Sequence, residues 1–487
     1  MTDYRNWIVW SATLVVVVGA TAFHSANYFF LFDDTALLTV ARDFSVLDIF
    51  SSAAIGFYRP GGLIASKLQY LLFEWRLPAG YAFISIATHA ASVLLLYRIL
   101  HQLDFDRLAT VLCALLFLVS PWATEATLWF SAQFDLFAIF FGLASILALE
   151  HFQRHGRTAI LLASAALFGM ALLYKENVIV LPIFVFAILI RQKTMLWRSI
   201  ARILAPFAIV AACYLMVRAQ LLPHLGGAYG NLSSLYGKAD ILNSLYRYLQ
   251  ALLFLQPKIT QPSLSGLALF YTIGTLACIT AAAARPRVFA AVTALFFVTL
   301  APVAWMQVGA HTTAGGRLLY APGILWCLLI GIGASQLWTG SRRVDSLLTV
   351  PFTHSVLATL LVGGMAGAYV SASNQLVLWR FATGFARNTV DYIFSSPAIS
   401  HHCIHITNLP SATTEGPFLF KSYNFIHHLH ATDHAPGIRF SADTVTISAI
   451  HSGVVIPGGA DVFGIDCNDD DAVQITLPLD RLRPPVK

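Results

Sequence analysis

Long apolar blocks separated by short polar turns dominate the first 370 residues of the chain. Three clear examples lie at residues 7–23, 128–149 and 318–337. Blocks of about 17–25 apolar residues match the hydrocarbon thickness of a bilayer. The pattern predicts an all-α polytopic membrane protein with about eleven transmembrane helices. The predicted spans are residues 7–30, 79–97, 108–120, 128–149, 158–173, 178–190, 203–217, 264–284, 288–303, 318–338 and 351–370.

The first block also resembles a signal peptide. Arg5 precedes it, and Ala20-Thr21-Ala22 has the small residues of a cleavage site. However, apolar residues resume at 28–32 and further spans follow. We therefore interpret the first block as a retained span.

Composition supports a membrane location. Hydrophobic residues make up 57% of the 487 positions, charged residues 11%, and the mean hydropathy is +0.70. Soluble globular chains carry about 25% charged residues. The net charge of +6 reflects an uneven distribution of basic residues among the connections, so it does not indicate a nucleic-acid partner.

The basic residues predict the orientation. With the N-terminus in the cytoplasm, the cytoplasmic segments contain 13 Lys and Arg residues in about 51 positions, whereas the opposite loops contain 10 in about 119. The positive-inside rule therefore predicts a plasma- or inner-membrane protein whose loops 31–78 and 218–263 lie outside. We interpret residues 241–255, an apolar stretch interrupted by Arg247 and Gln250, as an interfacial or re-entrant helix.

The composition changes after about residue 371. Residues 401–487 are polar and rich in His, with strand-like runs at Thr444–Ile450 and Val473–Leu477. We predict a transmembrane catalytic domain over residues 1–371 and a small β-containing exported domain over 372–487. Cys403 and Cys467, the two cysteines outside the spans, both fall in the exported domain, where a disulfide between them could persist.

Ionisable residues cluster at the outer ends of the predicted spans. Charges near the bilayer core are costly and are therefore candidates for function. The outer-face group comprises Asp33, Asp34, Tyr58-Arg59, Glu125, Lys175-Glu176, His311, Arg317 and Tyr320, while Asp135 is the acid inside a span. If the spans pack as a bundle, these residues can form one site.

The residue types in this group suggest a reaction class. Asp33, Asp34 and Glu125 are candidate catalytic carboxylates, since an adjacent acidic pair can supply a general base and a second group that orients the acceptor. A second set of three cations, Arg59, Lys175 and Arg317, suits a phosphate or pyrophosphate leaving group. A donor on the outer face would be lipid-carried, so we predict transfer of a polyprenyl-phosphate-linked group. Tyr58, Asp135, Glu176, His311 and Tyr320 are the candidate substrate-binding neighbours.

Other interpretations of the same residues stay open. The acidic pair could only end a span, Arg59 could be an interfacial anchor, and Lys175-Glu176 could be a solvated ion pair. The protein could be a transporter or lipid flippase, although that function favours ionisable groups along a path through the midplane. A non-catalytic scaffold for envelope assembly, or a polymerase or ligase of envelope glycans, is a further alternative. No metal or other cofactor is expected, because the His residues of 401–434 lack Cys or carboxylate partners at ligand spacing.

The ordered motifs resemble those of the membrane-embedded GT-C glycosyltransferases, in particular the transmembrane and tetratricopeptide-repeat O-mannosyltransferases and their bacterial relatives. The resemblance spans residues 25–325. Within it, the family's His-Pro-x-His-Thr-Glu-Ala-x-x-Trp-x-Ser-x-x-x-Asp-Leu pattern is similar to residues 120–136, with Ser120 and Ala123 in place of the two His. Lys175-Glu176 is similar to the family's Ser-Lys-Glu, and residues 317–322 to its Glu-Arg-x-Leu-Tyr-x-Pro.

The resemblance implies a polyprenyl- or dolichyl-phosphate-sugar donor, inversion at the sugar carbon, and a catalytic carboxylate in the first outer loop. By the family's pattern Asp34 is slightly favoured over Asp33 as the base, with the other carboxylate holding the loop. Arg59, Lys175 and Arg317 would lie near the donor phosphate. The expected partners are this donor, membrane lipid, and an acceptor glycan, lipid or protein. A hexosyltransferase is implied, of which a mannosyltransferase is one form, but the absent repeats and absent His leave acceptor and sugar open.

Overall fold

The computed structural model describes residues 28–53, 56–191, 196–254, 276–306, 315–348 and 379–392 apart from single positions within them, a few isolated positions elsewhere, and three strand segments after residue 400. The described helices are α1 Asp34–Asp43, α2 Val46–Ser51, α3 Pro60–Phe73, α4 Pro78–Gln102, α5 Arg107–Leu118, α6 Ala123–Leu128, α7 Gln133–His155, α8 Thr158–Tyr174, α9 Leu181–Arg191, α10 Trp197–Leu221, α11 Leu232–Lys238, α12 Ile241–Phe254, α13 Pro286–Leu300 and α14 Tyr320–Leu348. Residues 276–284 and 379–392 are also helical. Short 3₁₀ turns occupy Phe130–Ala132, Glu176–Val180, Gly227–Tyr229, Ala301–Val303 and Gly316–Leu319.

The molecule is mostly helical, as the apolar blocks predict. Within the described residues, five helical stretches are long and apolar enough to cross a membrane: Pro78–Gln102, Phe130–His155, Trp197–Leu221, Pro286–Val303 and Gly316–Gly340. Arg107–Leu118 and Thr158–Tyr174 are shorter apolar helices. All seven coincide with predicted spans. The predicted spans 7–30 and 351–370 lie largely outside the described residues, so a total of eleven stays a prediction.

Reciprocal hydrogen bonds join helices α7 and α8 inside an apolar core. On α7 and α8, the Ser145 hydroxyl donates to the Ser164 carbonyl at 2.7 Å, and the Ser164 hydroxyl donates to the Ser145 carbonyl at 2.6 Å. Small residues of this kind let helix backbones approach closely where no water competes for hydrogen bonds. Phe117, Phe168 and Tyr320 are fully buried around this core. The packed helices therefore position the turns at their ends.

The first predicted outer loop is largely helical. It contains α1, α2 and α3, and α3 starts with Pro60, which is favourable at the first helical position because its missing N–H needs no partner there. The second outer segment contains α11 and α12. The helix predicted at residues 241–255 is confirmed as α12: Tyr248 and Leu252 are buried, whereas Leu242 and Tyr246 are exposed on its other face.

Three short strands are described in the C-terminal part: β1 Cys403–Leu409, β2 Arg439–Thr444 and β3 Val473–Ile475. They form a sheet in the order β2-β1-β3, and β1 is parallel to both neighbours. β3 lies inside the predicted run 473–477, whereas the run 444–450 shares only Thr444 with β2. An independent domain over 372–487 stays a prediction, as does the disulfide, since Cys467 lies outside the described residues.

Candidate active site

The two adjacent aspartates have different environments. Asp34, at the start of α1, is buried, and both of its carboxylate oxygens accept hydrogen bonds. Oδ2 accepts from the Leu31 backbone N–H at 2.9 Å, and Oδ1 accepts from the Ser131 N–H at 2.8 Å and the Ser131 hydroxyl at 2.5 Å. Asp33, one residue earlier, is only half-buried. Asp34 therefore ties the first outer segment to the Ser131 turn, while the Asp33 carboxylate is nearer to solvent.

Burial strongly affects the acidity of Asp34. Removal from water raises its pKa from 3.8 to about 7, against the opposing effect of the hydrogen bonds from Ser131 and Leu31; Asp33 raises it slightly further. The Asp34 carboxyl is thus close to half-protonated at neutral pH.

Arg59 and Glu176 form a bidentate ion pair across 117 positions of sequence. Arg59 Nε donates to Glu176 Oε2 at 3.0 Å, and Nη2 donates to Oε1 at 2.7 Å. Arg218 Nη1 lies 3.6 Å from the same carboxylate. Burial alone would raise the pKa of Glu176, but Arg59 and then Arg218 lower it to about 2. This trio of two guanidinium groups and one carboxylate keeps one net positive charge.

Lys175, which follows α8, forms an ion pair with Asp135 near the start of α7. Both side chains are buried. Burial lowers the pKa of Lys175; Asp135 opposes this change, whereas the neighbouring Arg59 and Arg317 add to it. The three cations predicted from sequence are therefore close enough to influence one another.

Arg317, in the 3₁₀ turn before α14, is held from two sides. Its Nη1 donates to Glu125 Oε1 at 2.7 Å, and its backbone N–H donates to Glu125 Oε2 at 3.0 Å. Its guanidinium carbon lies 4.6 Å from the centre of the Trp129 ring, a cation–π contact. Burial raises the pKa of Glu125, and Arg317 opposes this change. Glu125 thus orients Arg317 and is itself buried behind it.

Trp129 connects Arg317 to the acidic pair. Its indole N–H donates to the Leu31 carbonyl at 3.4 Å, two residues before Asp33. Asp33 also lies within electrostatic range of Arg317. The N-terminal ends of α1, α3, α6 and α14 and the C-terminal end of α8 therefore converge on one charged cluster.

Two cavities adjoin this cluster. The first, the apolar cavity, extends between α7, α9 and α14 along Leu143, Leu181, Phe184 and Leu325. The second, the charged cavity, has Arg59, Arg218, Tyr229 and Trp305 in its lining. Both share Lys175, Asn177, Val303, Arg317 and Leu318, so the two cavities meet at these residues. Among the described residues, Asp33 and Asp34 line neither of these cavities.

The remaining predicted site residues are Tyr58, Tyr320 and His311. Tyr58 is buried, and its carbonyl accepts from the Tyr214 hydroxyl at 3.4 Å. Tyr320 is buried with its hydroxyl 2.8 Å from His89 Nδ1, and it also lines the apolar cavity. His311 lies outside the described residues. Within the described part of the chain, no group of three His, Cys, Asp or Glu residues could hold a metal ion.

Known proteins share this architecture. A family model described as dolichyl-phosphate-mannose-protein mannosyltransferase matches residues 65–220. The ArnT structure from Cupriavidus metallidurans bound to undecaprenyl phosphate is 12% identical, with a TM-score of 0.51 over 90% of this chain and 86% of that chain. The arabinofuranosyltransferase AftD from Mycobacteria is 16% identical, with a TM-score of 0.50 over 88% of this chain and 31% of that chain.

The chain therefore shares its fold with ArnT and AftD, and the family model matches about a third of its length. This shared fold agrees with the resemblance of the ordered motifs and with an integral membrane protein. The oligosaccharyltransferase from Archaeoglobus fulgidus is also similar, at 11% identity and a TM-score of 0.48 over 92% of this chain, but the chain spans only 64% of the length of that enzyme. No curated protein shows significant sequence similarity.

Sequence reasoning missed two residues of this site. Arg218 ends the apolar helix α10, and Tyr229 lies in the second outer segment. Both line the charged cavity. A single basic residue at the outer end of an apolar span was the available signal for Arg218, whereas nothing in the sequence near Tyr229 distinguishes it from other loop tyrosines.

Proposed function

We propose that this protein, as a GT-C glycosyltransferase, transfers a sugar from a polyprenyl-phosphate-linked donor to an acceptor at the outer face of the membrane, with inversion at the sugar carbon. The observation that carries the proposal is the junction of an apolar cavity with a cation-lined cavity at Lys175 and Arg317. A polyprenyl-phosphate donor carries an apolar chain and a charged phosphate in one molecule, so its site needs an apolar cavity and a cationic cavity side by side.

The apolar cavity suits the polyprenyl chain. Its lining from α7, α9 and α14 offers aliphatic and aromatic side chains to an isoprenoid, and burial of apolar surface there contributes roughly 25 cal/mol per Å². The charged end suits the phosphate. Arg59 and Arg317 offer planar guanidinium groups that can bind phosphate oxygens through two hydrogen bonds, and Lys175 adds a point charge.

The bound carboxylates prepare these cations for an anion. Glu176 and Glu125 hold Arg59 and Arg317 through paired hydrogen bonds, which fixes both guanidinium planes before a donor arrives. Preorganised groups of this kind stabilise charge without reorganisation during the reaction. Because Glu176 is shared by Arg59 and Arg218, one positive charge is left to meet a phosphodiester.

The environments of the acidic pair support a division of labour. Asp34 is engaged through both oxygens and would position the loop, and Asp33 is the better candidate for the general base. In the proposed reaction the acceptor hydroxyl oxygen bonds to the sugar's anomeric carbon as its proton passes to Asp33. The bond between that carbon and the phosphate oxygen breaks on the opposite face, and polyprenyl phosphate leaves with its added charge facing Arg59 and Arg317. Glu125 positions Arg317 and does not touch substrate.

The wider architecture is part of the same proposal. About eleven spans in residues 1–371 would place the N-terminus in the cytoplasm and the cluster outside. Residues 372–487 would form an exported β-containing domain with a Cys403–Cys467 disulfide, and His311 would lie near the donor. The transferred group would be a hexose, with mannose as one candidate suggested by the matching family model.

Donor consumption by the purified full-length protein tests the proposal. We expect at least one labelled undecaprenyl-phosphate hexose, presented in detergent with lipid extract as the acceptor source, to release undecaprenyl phosphate, and the corresponding nucleotide sugars to remain unused. Consumption of a nucleotide sugar in the absence of a lipid-linked donor would contradict the proposal.

A further inference from the structure

We propose that Tyr229 and Trp305 form the subsite that holds the donor's sugar ring. The inference rests on the proposed function and identifies where the transferred group lies. A lipid-linked sugar donor is a phosphodiester with two different substituents, a prenyl chain and a sugar. If Lys175 and Arg317 hold the phosphate where the two cavities meet, the chain occupies the apolar cavity, and the sugar must enter the other one.

Aromatic rings form one wall of that second cavity. The Tyr229 ring lies 4.9 Å from the Phe57 ring and 5.0 Å from the Trp305 ring, measured between ring centres. Phe57 in turn lies 4.2 Å below the guanidinium carbon of Arg59. Tyr229 is also within electrostatic range of Arg59 and Arg317. The wall therefore lies beside the cations that would bind the phosphate.

Two glycines permit the close backbone contact that positions this aromatic wall. Gly56 and Gly227 both have positive φ, at 77° and 61°, which strains any residue with a side chain. A Cβ on Gly227 would lie 2.7 Å from the Gly56 carbonyl oxygen, and a Cβ on Gly56 would lie 2.7 Å from the Ala228 Cβ. The two outer segments thus pack backbone to backbone, which holds Tyr229 against Phe57 without depending on flexible side chains.

The exposure of Tyr229 points to a ligand rather than to packing alone. Although its ring contacts two others, 40% of Tyr229 is still exposed, and it lines the cavity together with Trp305. A sugar ring presents a face of C–H groups and a rim of hydroxyls. The face packs against aromatic rings, and the hydroxyls can bond to the Tyr229 hydroxyl and to the neighbouring charged groups.

Binding measurements on the full-length protein separate the sugar from the lipid phosphate. Dissociation constants are measured for bare undecaprenyl phosphate and for undecaprenyl-phosphate mannose, glucose, galactose and arabinose in detergent. We expect the wild type to bind one sugar-bearing form more tightly than the bare lipid. Tyr229→Ala should weaken binding of that form roughly three- to tenfold, with less than about a twofold change for the bare lipid. Tyr229→Phe, which keeps the ring, should retain most of the affinity.

Tyr246→Ala is the matched control, because Tyr246 is an exposed outer-segment tyrosine, 62% accessible, that lines neither cavity. Its affinities should equal those of the wild type, and melting temperatures identify any variant that fails to fold. The subsite is refuted if the wild type binds no sugar-bearing form better than the bare lipid, or if Tyr229→Ala weakens both forms equally. Unchanged donor binding with an increased acceptor KM would also refute it. Failure of the wild type to bind even undecaprenyl phosphate would instead overturn the proposed function on which the subsite rests.

Discussion

Replacing Asp34 with Asn tests whether this residue positions the loop. In the fold, burial raises the pKa of Asp34 from 3.8 to about 7, so the folded protein prefers the protonated carboxyl. The contribution of Asp34 to stability is therefore complete below about pH 4, and it is lost as the pH rises through about 7. Asn is isosteric with the protonated acid and does not ionise.

The magnitude follows from the same values. Each pH unit between the ordinary and the raised pKa corresponds to about 1.4 kcal/mol, so the wild type loses roughly 3 kcal/mol between pH 5 and pH 8. Asp34→Asn keeps the oxygen that accepts from Ser131 but loses the one that accepts from the Leu31 N–H, at a pH-independent cost of about 1 kcal/mol. The stability of the variant relative to the wild type should thus rise by roughly 3 kcal/mol between pH 5 and pH 8.

Thermal unfolding in detergent at pH 5, 6, 7 and 8 measures this relative change in stability. Asp48→Asn provides the control, because Asp48 is exposed in a capping box with Ser45, whose hydrogen bonds lower its pKa. The stability from Asp48 is lost only as the pH falls below about 4, so its offset from wild type should stay constant from pH 5 to pH 8. A constant offset for Asp34→Asn as well would refute the assignment of Asp34 as a buried, desolvated carboxyl.

Three further predictions concern the cations, the topology and the exported cysteines. Arg317→Ala should reduce donor use about tenfold to a hundredfold, since charged hydrogen bonds contribute about 1.5–3 kcal/mol each. Arg76→Ala, an exposed control on the same predicted outer face, should have wild-type kinetics. Equal kinetics for both variants would indicate that Arg317 is only an interfacial anchor. A Cys introduced at Arg342 should resist membrane-impermeant reagents in sealed cells, and external labelling there would contradict the orientation. Cys403 and Cys467 should form a disulfide, which contributes about 3–4 kcal/mol in the chain-entropy model; two free thiols by non-reducing mass spectrometry would end that proposal.

The charged cluster could be predicted from sequence because membrane physics leaves few places for charge. Arg59, Lys175 and Arg317 stand out in a chain with 11% charged residues, and the sidedness of basic residues puts them on one face. The ion-pair partners could not be predicted in this way. Glu125 and Arg317 are separated by 192 positions, and only the packed bundle brings them within 2.7 Å.

The division between the two aspartates also required three-dimensional structure. In sequence Asp33 and Asp34 are equivalent neighbours, and the family pattern slightly favours Asp34 as base. The difference comes from Ser131, 97 positions away, whose N–H and hydroxyl donate to the Asp34 carboxylate and tie it to the Ser131 turn. Helix α12 shows the opposite case: its interrupted apolar pattern was sufficient to predict a helix, because local periodicity determines which face is buried.

The most direct test of the account is transfer by base variants. Purified wild type, Asp33→Asn and Asp34→Asn are incubated with the labelled undecaprenyl-phosphate hexose that the wild type consumes, and release of undecaprenyl phosphate is measured alongside thermal stability. General-base assistance contributes about 100- to 10,000-fold, so Asp33→Asn should lose that much activity without loss of stability, whereas Asp34→Asn should stay within about tenfold of the wild type. If both single variants and the double variant transfer sugar at the wild-type rate, the catalytic account built on this loop is wrong.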